Sequence, residues 1–216
     1  MKRIIEEISK SREWRINELK NLKLIAMKEF VKKEENLAEQ YYRMCIPYIY
    51  AHWEGYIVET FKLLIEYLNG LSLQKEKVIL ELQTFAVLDK LRPLAGKQGF
   101  EQCQRFVSKF GNDYMRPLYI NYENFSTNSN LNYKQLTTIF SWFGLDIRLE
   151  SYKSNINQLV NQRNRIAHGE NGIIISLEII LKYIEDITKI FDELLLEIDN
   201  YVRYKHYLGK GLSGNK

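Results

Sequence analysis

The chain reads as an all-α protein, an up-and-down helical bundle with an N-terminal helical extension. Three observations predict this class. Only 3 prolines and 11 glycines punctuate 216 residues, which favours long helices over many short strands. Apolar residues recur at three- and four-residue spacing through long segments. Between those segments stand the polar and glycine stops at which helices end. With 45% hydrophobic and 27% charged residues the chain has the make-up of a globular protein. Three parts are expected: an amphipathic extension over 1–36, a bundle over 37–206 and a basic flexible tail over 207–216.

From Ile4 to about Lys33 the apolar positions Ile4, Ile5, Ile8, Ile16, Leu19, Leu22 and Ile25 mark an amphipathic helix or helical pair that covers the core or a partner chain. Lys32-Lys33-Glu34-Glu35-Asn36 is a break. Leu37 to Leu71 is the apolar heart, with Ile49, Trp53, Tyr56, Thr60 and Leu64 on one stripe and Tyr50, Ile57, Phe61 and Ile65 beside it. A helix apolar over so much of its surface belongs at the centre. Glu54 falls on the second stripe and is expected to be a partly buried carboxylate. His52 reads as a packed histidine. Asn69-Gly70 closes the segment.

Leu73 to Ala86 reads as a helix, Arg92-Pro93 as a turn or helix start, and Phe100 to Phe110 as a short helix stopped by Gly111-Asn112. Residues 112–131 form a loop whose tyrosines Tyr114, Tyr119 and Tyr122 either pin it or stack bases, with pinning favoured. Asn132 and Gln135 resemble a capping box opening a helix through Trp142-Phe143, stopped by Gly144. A helix then runs from Leu149 to His168, with Gly169 as its stop. Ser176 caps a last long helix to about Tyr204. Cys45 and Cys103 lack metal-ligand spacing and read as reduced core thiols of a cytoplasmic protein.

The net charge of +4 permits a nucleic-acid partner without arguing for one. The start, Met1 to Glu7, sets acids directly after two aliphatic residues and so lacks a signal-peptide core. No run approaches the roughly 18 apolar residues that span a bilayer. A soluble, cytoplasmic chain without a membrane partner is expected. No repeat, glycine-rich phosphate loop, zinc-ligand cluster or nucleophile elbow occurs in the sequence.

One stretch stands apart, Asn161-Gln162-Arg163-Asn164-Arg165-Ile166-Ala167-His168-Gly169-Glu170. Stepping about 100° per residue from Ile156, Leu159, Val160, Ile166 and Ala167 share one buried face, and Arg163 falls near its middle. A cation aimed at a core is costly unless paired, and Glu54 is the anion the pattern offers. A guanidinium can hold a phosphate through two parallel hydrogen bonds, and an imidazole can move a proton near neutrality. Together they suit RNA scission, in which the ribose 2′-hydroxyl attacks its neighbouring phosphate without requiring a metal. An Arg–His spacing of this kind is common by chance. Its context adds information: an inward Arg163, Asn164 beside it, and Gly169 closing the helix.

Arg163-Asn164-Arg165-Ile166-Ala167-His168-Gly169 resembles the Arg-x(4–6)-His signature of the HEPN superfamily, and Ala51-His52-Trp53-Glu54-Gly55-Tyr56 resembles the central helix of its MAE group. The resemblance covers most of Leu37 to Tyr204. It implies an all-α bundle, a homodimer that brings two Arg/His sets into one cleft, and metal-independent endoribonuclease activity without a cofactor. Catalysis is carried over to Arg163 and His168. Asn164 takes a supporting role, as do Glu54 and Arg165. Many members are toxins or phage-defence effectors, so the expected partners are RNA, a second copy, and a cognate antitoxin or defence-system protein. Glu170 stands where toxins silenced by tyrosine modification carry their tyrosine, so that control is not expected. Arg163 and His168 lie about 140° apart around one helix, which also argues for a two-fold dimer that apposes them. Two other readings stay open: a non-catalytic HEPN-like dimer that binds nucleotide, RNA or a partner, and a nucleic-acid-binding module without chemistry.

Overall fold

The computed structural model describes residues 2–28, 35–91, 99–122, 125, 127, 129–170 and 172–209. Among them are seven α-helices and no strand: α1 (Lys2–Ala26), α2 (Glu35–Gly70), α3 (Leu80–Leu91), α4 (Phe100–Tyr114), α5 (Tyr133–Trp142), α6 (Lys153–Ala167) and α7 (Leu177–Arg203). Of the expected break at 32–36, residues 32–34 lie outside the described residues, as do the turn at Arg92-Pro93 and residues 210–216, while Glu35 and Asn36 already open α2. No helix among those described is long and apolar enough to cross a membrane.

α2 is the axis of the bundle. Its 36 residues extend about 54 Å at 1.5 Å per residue. Trp53, Tyr56, Ile57, Phe61, Leu64 and Ile65 are all fully buried. α7 packs along it through Ile180, Tyr183, Ile184, Ile187, Ile190, Phe191 and Leu194. The Ser176 hydroxyl caps α7 by accepting the Ile179 N–H at 3.4 Å. Asn132 does the same for α5, its Oδ1 taking the Gln135 N–H at 3.0 Å. Gly144 follows α5 with a φ of +63°, where a side chain would be strained.

The N-terminal helix, expected to cover the core or a partner chain, covers the core as a wall of the bundle. α1 lies against both α2 and α7, burying Ile4, Ile8, Ile16, Leu19 and Ala26 in the common core. Polar residues on its inward face hide this from a hydropathy pattern. Ser11 and Arg15 are buried, with the Arg15 guanidinium 2.9 Å from Glu59 and 2.6 Å from the Ser11 hydroxyl. Gly55 makes room for it: a Cβ there would stand 3.1 Å from the Arg15 Nη2.

The expected flexible tail also starts too early. The Tyr207 carbonyl accepts the Ile79 N–H at 3.0 Å, and the Gly209 N–H donates to the Lys77 carbonyl at 2.9 Å. Tyr207 is buried beside Tyr67 and Tyr201. This pairing holds Val78 and Ile79 extended, which is why the helix expected from Leu73 is a short turn at Lys75–Lys77 followed by α3 from Leu80. α4 runs through Gly111 to Tyr114, extended by the Phe110–Tyr114 stack and by the Tyr114 hydroxyl, which donates to Gln83 at 2.8 Å. Of the two free cysteines Cys45 is buried, but Cys103 is exposed on α4 rather than in the core.

Candidate functional site

α6 is held by Ile156, Leu159 and Val160. One turn on, Arg163 is only half-buried. Its Cζ sits 3.9 Å above the centre of the Tyr50 ring, a cation–π contact that lets the charge approach the core without an anion. Its Nη2 donates to the Ser129 carbonyl, while its buried Nε–H meets no acceptor.

The expected Arg163–Glu54 pair does not form. The Glu54 carboxylate accepts instead from the Thr127 hydroxyl at 2.5 Å. The aromatic face of Tyr50 and a backbone carbonyl satisfy the guanidinium, so no carboxylate is needed. Burial raises the Tyr50 pKa, which keeps its ring and hydroxyl neutral.

These contacts belong to a clamp on residues 129–131. Arg163 holds the Ser129 carbonyl, and the Asn164 Nδ2 donates to Asn130 Oδ1 at 3.2 Å. From α2, the Tyr50 hydroxyl accepts the Leu131 N–H at 2.9 Å, and the Trp53 Nε1–H donates to the Leu131 carbonyl at 3.0 Å. Ser129 is held at a φ of +50°. Two helices thus fix one strained loop next to the motif.

His168 is exposed and closes α6 as its C-cap. The Gly169 N–H returns to the Ile166 carbonyl and the Glu170 N–H to the Arg165 carbonyl, both at 3.0 Å, with Gly169 at a φ of +75°. That is the glycine-terminated helix end in which the chain reverses in the left-handed region. Arg165 Nε lies 2.6 Å from the Glu170 carboxylate, and Arg43 donates to the Glu170 carbonyl at 2.8 Å. Arg165 therefore braces the helix end beneath His168. Ala167, expected on the buried face, is exposed. Within one chain Arg163 faces α2 and the clamped loop, while His168 faces solvent.

His52 is placed elsewhere. It is buried between α1 and α2, its Nε2 is 3.1 Å from Glu18, and its ring meets Trp14 and Tyr48 edge-on. Burial lowers its pKa, with Glu18 acting in the opposite sense. Tyr114 pins its segment, as favoured, while Tyr119 is exposed. Among the described residues no group of three or more His, Cys, Asp or Glu side chains comes together to hold a metal.

A cleft of about 690 Å³ opens between α5 and α6. Asn164 lines it together with Asn157, Asn161, Lys134 and Lys153. On α6 Lys153, Asn157, Asn161, Asn164 and His168 follow at intervals of four, four, three and four, one polar stripe of the helix. The spacing is legible in the sequence, but the facing helix is not.

No curated protein and no solved structure matches the chain. A family model does, over residues 10–200, and its span takes in most of α1, the whole of α2 and the Arg163–His168 stretch. The match does not reach the narrower MAE group. The helical bundle and the motif at the end of α6 thereby receive one attribution: the chain belongs to the RiboL-PSP-HEPN family of the HEPN superfamily.

Proposed function

We propose that this protein is an endoribonuclease that cuts RNA by 2′-hydroxyl attack, acting as a toxin or phage-defence effector. HEPN domains are commonly ribonucleases. The observation that best supports the reading is the state of Arg163. It is a half-buried, rigidly stacked guanidinium with an unused Nε–H, one turn from an exposed His168. In the reaction the 2′-oxygen bonds to phosphorus and the bond from phosphorus to the 5′-oxygen breaks, leaving a 2′,3′-cyclic phosphate and a 5′-hydroxyl. His168 takes the proton from the 2′-hydroxyl or gives one to the departing 5′-oxygen. Arg163 neutralises charge gathering on the phosphoryl oxygens. RNA carries its own nucleophile, so the step makes no demand for a metal. Because the two side chains diverge on one helix, the reading includes a two-fold dimer in which Arg163 of one copy works beside His168 of the other.

The test incubates the purified chain with RNA in excess chelator, beside His168→Ala and a substrate with 2′-deoxyribose at the cut site. Cleavage of RNA alone, absent in the variant and ending in 2′,3′-cyclic phosphate, is the expected result. Equal cleavage by His168→Ala refutes the assignment. One observation favours a second reading, a non-catalytic dimer that binds nucleotide, RNA or a partner protein: Arg163 already serves the fold through Tyr50 and Ser129. Under it, Arg163→Ala lowers stability and the unmodified chain leaves RNA intact.

A further inference from the structure

We propose that the cleft between α5 and α6 is a binding track for single-stranded RNA, leading from Lys153 along α6 to His168. The inference rests on the ribonuclease reading for the direction of the track, but its chemistry stands on the cleft.

Lys134 and Asn161 make no side-chain hydrogen bond or ion pair with any described residue, and Lys153 only overhangs the Tyr133 ring at 5.6 Å. Two ammonium groups thus border one cleft without a carboxylate to neutralise them, and none of its lining residues is acidic. The Glu150 carboxylate acts electrostatically on Tyr133, one of the lining residues. Cations that lack a carboxylate partner suit the phosphates of a nucleic-acid strand. The first turn of α5 opens onto the same space, adding the positive end of its dipole.

The amides supply the other half of the recognition. Asn157 uses its Oδ1 to take the Tyr133 N–H at 3.1 Å, which orients its Nδ2 donors, and Asn161 keeps both donor and acceptor. Side-chain amides match base edges with paired donors and acceptors. Those edges are available in single strands and hidden in the deep, narrow groove of duplex RNA. Fifteen residues separate Lys153 from His168, about 22 Å along the helix, so the stripe reads several nucleotides beyond the scissile one.

The probe is a fluorescent uridine-rich single-stranded RNA 12-mer, its binding followed by anisotropy to the full chain carrying His168→Ala, which keeps it uncut. Lys134→Glu/Lys153→Glu is compared with a charge-matched control, Lys62→Glu/Lys109→Glu, on exposed lysines outside the cleft. Lys134→Ala/Lys153→Ala, with circular dichroism on every variant, guards against a folding defect. The cleft pair is expected to weaken binding by about tenfold or more and to flatten the log–log salt slope by about 1.4, at roughly 0.7 per cation on a single strand. The control is expected to do neither, and a duplex of equal length to bind more weakly. Equal losses in both pairs, no loss in the cleft pair, or tighter duplex binding overturns the track. Failure of the nuclease reading is seen separately, as absence of cleavage by the unmodified chain, and leaves this binding result standing.

Discussion

Replacing Tyr50 by Phe tests the clamp on residues 129–131 at one atom. The ring stays beneath the Arg163 guanidinium, but the fully buried Leu131 N–H loses its acceptor. An unsatisfied buried N–H costs about 1–3 kcal/mol. Taking about 2 kcal/mol and roughly 2–4 °C per kcal/mol for a chain of this size, Tm should fall by about 4–8 °C. Tyr50→Leu removes the ring as well and forfeits a further 0.5–1 kcal/mol or so of cation–π attraction. Calorimetry reads the global change, and hydrogen exchange resolved at the Leu131 amide reads the local one. Exchange there should quicken by roughly 30-fold in Tyr50→Phe, the equivalent of about 2 kcal/mol at 1.4 kcal/mol per tenfold. Unchanged protection at Leu131 together with an unchanged Tm refutes the clamp.

Two further outcomes follow from burial. The pKa of His52 is depressed below 6.5 by burial, so between that folded value and 6.5 the unfolded chain binds more protons and stability rises with pH. Its contribution is present above 6.5 and fades as pH falls, so denaturant titrations should show the stability gap between the unmodified chain and His52→Gln narrowing from about pH 7.5 to about pH 5.5. A gap that widens instead contradicts the buried neutral imidazole. Cys103 is exposed, whereas burial pushes the Cys45 thiol up to about 11. A disulfide exchange reagent at neutral pH should therefore titrate one thiol in the native chain and a second only after denaturant is added. Rapid reaction of both thiols in the native state counts against the packing around Cys45.

Local signals in the sequence carried much of the fold, because helix ends are local chemistry. Ser176, Asn132 and Gly169 act within three or four residues of themselves, and each does in the structure what its position suggests. The apolar stripes of α2 and α7 are likewise periodic and legible. What escaped depends on distant partners. The sequence leaves open whether α1 covers the core or a partner chain, because Arg15 and Ser11 lie on its inward face and only Gly55 and Glu59 on α2 accommodate them. For Arg163, periodicity foresaw an inward guanidinium but named the wrong companion. Glu54 is close by in pattern, yet Tyr50 and a loop carbonyl more than thirty residues away receive the charge. Residues 77–79 and 207–209 could not be paired from sequence, since nothing in either segment specifies the other.

That last pairing governs how the polypeptide can be handled. Stopping translation just after α7 would uncover Val78, strip Tyr67 and Tyr201 of their aromatic neighbour Tyr207, and leave two backbone groups at 77 and 79 facing water. Affinity tags and fusion partners therefore belong after Gly209, which leaves the pairing of 77–79 with 207–209 intact.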